Sequence, residues 1–413
     1  MRLDTRLRPA GLALLVASGL LLGAADWSQW RGPNRSGHVG DPLPVLTGKP
    51  TQAWKVEVGE GHSSPVVADG VVYQHARQGE EEVVLALDLG TGHQLWRQAT
   101  STPYQMNPAA VAHGKGPKST PVVAGTRVCT LGISGALSCF DRVSGRLLWR
   151  HYFEGRFPTT APEFGTAMSP MVVGDALVAH VGGLEEGAIA AFRLEDGVEV
   201  WRWSGDGPGY ASPVIATLGD GPPQLVTQTR AHLVGLDAES GQLLWMVPFE
   251  TAYDQNSVTP VVFGDTVIFS GLDQGTFALR VRREAGSWTA TEVWRNADVP
   301  QYMSSPVLHD GLLFGLSHLK RGQLFCLDAA TGGTVWLSEG RIGVNASLLL
   351  AGDRLVVSTT DGVLLVGSAS RSEWQPESRH EIATTPVWAH PAPVRDGILV
   401  KDRTTLALWR FEG

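Results

Sequence analysis

Cysteine is nearly absent from this chain: three in 413 residues, Cys129, Cys139 and Cys326, with no two adjacent. An odd count leaves at least one thiol free. Charge is also sparse, at 18% of residues with a net of −8, so there is no basic footprint for nucleic acid or for an acidic membrane surface. Nucleophile elbows of the Gly-x-Ser-x-Gly type and His-Glu-x-x-His metal pairs are missing, which removes two common hydrolase chemistries. Gly114 to Thr120 is not a phosphate loop, because it lacks the Gly-Lys-Ser/Thr ending and leads into a strand. Long apolar runs are missing as well. The longest, Gly11 to Leu22, is 12 residues and too short to span a bilayer.

That short run has a different reading. Arg2, Arg6 and Arg8 flank it on one side and Gly23-Ala24-Ala25 on the other, the pattern of a secretory signal peptide cleaved before Asp26. Losing three Arg and Asp4 takes the net charge from −8 to −10. No Cys follows the run to carry a lipid. The expected address of the mature chain is periplasmic or secreted, without a membrane span.

What the sequence has in abundance is Gly (49), Pro (25) and Trp (14), the profile of many short strands and tight turns. One phrase recurs about every 45 residues. Leu87-Asp88 leads to Gly92 and Trp96, Phe140-Asp141 to Gly145 and Trp149, and Phe192-Arg193 to Gly197 and Trp201. Leu236-Asp237 leads to Gly241 and Trp245, and Leu327-Asp328 to Gly332 and Trp336. Such self-similarity means one supersecondary unit copied around an axis. Each unit opens on a hydroxyl residue, Pro and a Val-rich run, as in Ser64-Pro65-Val66-Val67 and Thr120-Pro121-Val122-Val123. Pro is tolerated at a strand's first residue, and a run apolar on both faces suits an innermost strand. The Asp is placed to cap the next turn, the Gly to take a positive φ, and the Trp to cover the face between neighbouring sheets.

Counting strand starts gives eight units, the last from His390-Pro391, and the chain ends one strand short. Ala53-Trp54-Lys55-Val56 supplies that strand from the other terminus. The expected fold is therefore all-β, an eight-bladed β-propeller of four-stranded blades closed by an N-terminal strand. It is preferred over a β-solenoid, whose shorter coils need no closure. The expected divisions are a signal peptide over 1–25, an N-terminal segment over 26–52 and the propeller over 53–413. Trp54, Trp96, Trp149, Trp201, Trp245, Trp294 and Trp336 form the structural series. The fifth unit lacks the Asp…Gly turn, and the seventh carries Trp374 one residue early. Cys139 and Cys326 share a slot that Ala86, Ala191, Gly235, Ala278 and Ala407 fill elsewhere, so both read as small core residues. Cys129 lies on the preceding strand, within reach of Cys139 if the register allows.

The Leu-Asp-x-x-(Thr/Ser)-Gly-x-x-x-Trp phrase resembles the repeat of pyrroloquinoline-quinone-like propellers, and the resemblance covers essentially all of the mature chain. Asp26-Trp27-Ser28-Gln29-Trp30-Arg31-Gly32-Pro33-Asn34 and His113 to Thr120 are similar to secreted bacterial members of that group. Its quinoprotein dehydrogenases would imply a bound quinone, a Ca²⁺, an Asp base and a vicinal Cys pair; this chain has no Cys-Cys. The propeller lipoprotein of the outer-membrane barrel-assembly machinery would imply a cofactor-free scaffold for cell-envelope proteins; this chain lacks the lipid-bearing Cys.

A propeller gathers the loops before its innermost strands at one end of the channel, where a ligand would meet one contribution per blade. The candidate ligand residues there are His62, Lys115, Lys118, Tyr210, Asp254, Asn256, Tyr302, Asn345, Trp388 and His390. Their aromatics, cations and amides suit a small polar ligand with a flat ring. Lys118 can pair a carboxylate or phosphate, and Asp254 with Asn256 can offer oxygens to Ca²⁺. The plainer readings are solvated loop lysines, a hydrogen-bonded structural His390, isolated histidines at 62 and 113, and a ring of Ser/Thr hydroxyls capping turns or holding channel water. With no assembled catalytic motif, the expected function is a monomeric binding or scaffolding protein acting through the channel-mouth loops. The alternative is a small oxidoreductase dependent on pyrroloquinoline quinone and Ca²⁺.

Overall fold

The computed structural model describes residues 26–40, 46–153 and 162–412, so the expected signal peptide lies outside the described residues. Strands Val66–Ala68, Val71–Gln78, Glu81–Asp88 and Gln94–Ser101 form the first antiparallel blade, in chain order from the channel outwards. Six more blades repeat that order between Val122 and Glu381. The eighth joins Ala392–Val394, Gly397–Lys401 and Thr405–Glu412 to Lys49–Glu57, which pairs antiparallel with the chain's last strand. The fold is the eight-bladed β-propeller expected, closed where expected. No helix among the described residues is long and apolar enough to cross a membrane.

Register explains the repeated phrase. Ala86 lies opposite Trp96, Cys139 opposite Trp149, Ala191 opposite Trp201 and Gly235 opposite Trp245. Ala278 and Cys326 face Trp294 and Trp336 in the same way. The slot is small because an indole lies across it. A bulge beside each pair supplies the extra residue that turns the indole towards the next blade. There it meets the turn glycine: a Cβ on Gly145 would sit 2.7 Å from Trp96, and one on Gly197 2.7 Å from Trp149. Both glycines also hold φ near +75° (73° and 75°), so space and conformation exclude a side chain together. Each indole N–H then donates into that turn, Trp96 to the Arg142 carbonyl at 2.9 Å and Trp149 to Leu194 at 3.1 Å. Asp88 and Asp141 cap the turns as expected, accepting from both the backbone N–H and the hydroxyl of Thr91 and Ser144.

The two irregular blades show what the motif does by losing it. The fifth has no such turn, and Trp245 of the fourth donates to Gln224 of its own blade at 2.7 Å. In the seventh, Trp374 sits in the connection before the outer strand Ser378–Glu381, buried with its N–H unpartnered. The core follows the same geometry. It is a ring of layers between adjacent blades: one cluster joins Tyr73 and Val84 to Val128 and Phe140, another Leu131 and Leu137 to Leu177 and Phe192.

Around the channel the Ser/Thr ring does something other than cap turns. Ser64 N–H donates to Thr120 Oγ1, Thr120 N–H to Ser169 Oγ and Ser169 N–H to Ser212 Oγ, each within 3.2 Å. Thr259 N–H donates to Ser305, and His390 N–H to Ser64 at 2.8 Å, which joins the eighth blade to the first. The hydroxyls form an inter-blade belt. Cys129 and Cys139 face each other in register and are disulfide-bonded, while Cys326 is free, buried and pushed up to about 12 by burial.

The segment before the propeller plugs the channel. Asp26 accepts from Asp69 N–H at the turn end, Trp27 bridges Val67, and Ser28 accepts from Val123 N–H. The chain rises to Trp30, whose N–H donates to Thr259, then descends to His38–Val39, which pairs parallel with the seventh blade. Arg31 and Arg35 are fully buried at its apex and donate to the carbonyls of Pro306, Ser169 and Pro170. Burial brings each guanidinium down to about 9, helped at Arg35 by the charge of Arg31.

Candidate functional site

Because the plug enters from the turn end, the other end is a blind pocket with Trp30 in its lining. Its volume is about 150 Å³. Half of its wall is a chain of rings contributed by successive blades. Trp388 stacks on His62 at 5.3 Å and 15°, His113 meets both edge-on, Phe164 meets His113 at 5.7 Å, and Tyr210 meets Phe164 at 6.0 Å. The opposite half is polar, with Gln255, Ser257 and Asn345 beside Met303. The stacked His62 and Trp388 also line a second cleft of about 250 Å³ with Glu60 and Arg403.

Among the described residues, one cation faces this pocket. Lys118 Nζ is buried with no hydrogen-bond partner, and desolvation lowers its pKa to about 8. Burial holds His62 well below its ordinary value, helped by the charge of Lys118, and burial with Lys118 lowers His113 too. Both imidazoles are neutral at pH 7. Tyr210 is raised by burial and stays protonated.

Of the residues singled out in the sequence, His62, Lys118, Tyr210, Asn345 and Trp388 converge on the pocket. The other five do not. His390 lies deeper, fully buried against Trp30 at 5.3 Å, both ring nitrogens unpartnered, its pKa driven to about 3 by burial. Asn256 is fully buried, its amide N–H₂ donating to the carbonyls of Thr229, Arg230 and Phe249 and its oxygen accepting from Thr251. Asp254 lies 3.9 Å from Arg230. Lys115 is exposed and 3.6 Å from Glu80, and Tyr302 packs edge-on to His318. Histidines 62 and 113, isolated in sequence, are neighbours in space at 5.9 Å.

Sequence reasoning missed Trp30, Phe164, Gln255 and the buried Lys401. The last carried a signal: a lysine ending the apolar run Ile398-Leu399-Val400. It is fully buried under the His62 loop, donating to the Gly61, Asp402 and Arg403 carbonyls, and burial lowers it to about 8. Phe164 and Trp30 carried none, since neither stands in the repeat.

The donor set does not fit a quinone with Ca²⁺. Ca²⁺ takes six to eight oxygens, carboxylates foremost. No Asp or Glu lines the pocket, the Asn256 oxygen is already committed, and no group of three or more His, Cys, Asp or Glu able to hold a metal occurs among the described residues. No carboxylate stands there as a base, and a polycarboxylate would find one ammonium.

Comparison with known proteins places these features. The sequence profile of the family described as "Outer membrane protein assembly factor BamB" matches residues 46–115, 80–338 and 291–407. A Yersinia pestis protein of that name is 25% identical over 283 residues, covering 65% of this chain and 68% of its own length. A polyvinylalcohol dehydrogenase of Sphingopyxis is 27% identical over 169 residues, which is 40% of this chain but only 21% of that protein. The crystal structure of BamB from Moraxella catarrhalis shares the fold, with a TM-score of 0.62 at 13% identity over 88% of this chain and 98% of that one.

Proposed function

The chain belongs to the family described as outer membrane protein assembly factor BamB, and from that membership we propose that it is a binding or scaffolding protein of the cell envelope that receives its partner at the channel mouth. The observation that carries this reading is the mouth's rim. Val111, Tyr253 and Val344 are 62%, 71% and 69% exposed on the loops that enter the second, fifth and seventh blades, with Leu319 also exposed at the same end. Apolar side chains ringed by polar loops are what a protein partner covers. The leader-like first 25 residues support a periplasmic or secreted address, and cell fractionation tests it.

The mature chain serves as bait against envelope extracts, beside Val344→Asp and Tyr253→Asp at the mouth and Val143→Asp, equally exposed at the turn end. We expect a reproducible partner that both mouth variants lose and the turn-end variant keeps. Capture by all three alike, or by none including the wild type, counts against the reading. An oxidoreductase role is the second reading, drawn from the relatives named polyvinylalcohol dehydrogenase. Dye-linked oxidation of alcohols with added quinone and Ca²⁺ would support it over the first.

A further inference from the structure

The pocket inside the rim has its own chemistry, and what it refuses defines what it accepts. Its ring arc from Trp388 to Tyr210 offers flat apolar surface, its far wall offers an amide and hydroxyls, and its single cation has no partner. A buried ammonium left unpaired is costly, and it is relieved by an anion that brings its own apolar body into the site. No carboxylate lines the pocket among the described residues, so none of these competes for that ammonium or repels an incoming anion.

We infer that the pocket binds a small aromatic monocarboxylate, its carboxylate on Lys118 Nζ and its ring against Trp388, His62 and Phe164, with a hydroxyl substituent reaching Gln255, Ser257 or Asn345. One cation matches one negative charge. A cavity of about 150 Å³ has room for a substituted ring. His62 and His113 flank Lys118 as neutral rings, and Lys401, the other cation acting on His62, is turned onto backbone carbonyls. The ligand's charge therefore falls to Lys118 alone. The inference rests on reading the channel mouth as a binding site, yet it needs no protein partner.

Titration calorimetry and indole fluorescence on the mature chain test it with benzoate, 4-hydroxybenzoate and indole-3-acetate. Benzamide serves as the uncharged counterpart, acetate as the ringless one, and pyrroloquinoline quinone with Ca²⁺ as the rival. We expect 4-hydroxybenzoate or indole-3-acetate to bind with a change in indole emission. Binding should weaken at least tenfold in Lys118→Gln and recover in part in Lys118→Arg, with acetate and benzamide weaker than either acid. No binding of the aromatic acids at millimolar concentration overturns the inference, as does binding indifferent to Lys118→Gln or tight saturation by the quinone instead. Rim variants that lose a protein partner yet still bind the acids would separate this site from the proposed scaffold role.

Discussion

The two ends of the channel are built on opposite principles. At the turn end one device recurs, complete in the first, second and sixth blades: an Asp caps a turn, a glycine without Cβ admits the preceding blade's indole, and the indole N–H donates into that turn. In those blades the capping carboxylate and the indole N–H both have partners. At the mouth the loops differ from blade to blade, and several buried polar atoms there and just beneath have no partner: Lys118 Nζ, Ser63 Oγ, Ser119 Oγ and both nitrogens of His390. Buried polar groups are ordinarily satisfied, so each of these marks a place where the mouth gives up stability. The lesson is a division of labour along the axis: stability from the repeated end, recognition from the varied one.

Mutations with effects of opposite sign at the two ends test that division most severely. Trp149→Ala removes a nearly buried indole that spans two blades, and we expect a loss of about 3–5 kcal/mol in urea denaturation with the pocket's ligand affinity unchanged. Lys118→Met at the mouth should stabilise the protein, by roughly 2 kcal/mol at pH 7, because it removes a desolvated and unpaired charge. The sign with pH follows. The folded pKa of about 8 lies below the ordinary lysine value of 10.5, so between them the unfolded chain holds the extra proton and wild-type stability rises with pH. Lys401 adds a similar rise in both proteins, so the gap between wild type and Lys118→Met should narrow from pH 8 to pH 10. A Lys118→Met protein that is less stable at pH 7 would place the lysine in the scaffold. The belt between the two ends should respond in between. Ser64→Ala strands the buried His390 N–H and should cost about 1–2 kcal/mol by thermal melting.

How far the sequence could be read follows the same axis. The recurring Trp, Gly and Asp were legible because each obeys a local rule that recurs from blade to blade: small residue opposite indole, positive φ at the turn, carboxylate over two donors. Closure by Trp54's strand was legible as a missing piece with a matching surplus. The mouth was half legible. His62, Lys118 and Trp388 each stand two residues before a blade's opening residue, whereas Phe164 does not; in the fifth blade that place is Ser257, and Asn256 beside it turns inwards to bind three carbonyls. The plug was illegible. No local pattern marks Arg31 and Arg35 for burial, and only the channel supplies the carbonyls that let them be buried.

The smallest effect should come from the capping Asp of the repeated phrase. Asp88 accepts from Thr91 N–H at 2.9 Å and from its hydroxyl at 2.6 Å, at a partly exposed turn where water can replace both bonds. Asp88→Ala should therefore cost less than about 1 kcal/mol in thermal melting. The Thr91 hydrogen bonds hold this carboxyl below its ordinary pKa of 3.8, so its contribution is complete at neutral pH and fades as the pH falls through the folded value. Wild type and Asp88→Ala should converge in acid. The turn keeps its glycine and the indole of Trp54, which still donates to Leu89 at 2.9 Å. A loss as large as that of Trp149→Ala would mean that the capped turn holds adjacent blades in place and the indole follows, and the stability of the turn end would have to be reassigned from packing to hydrogen bonding.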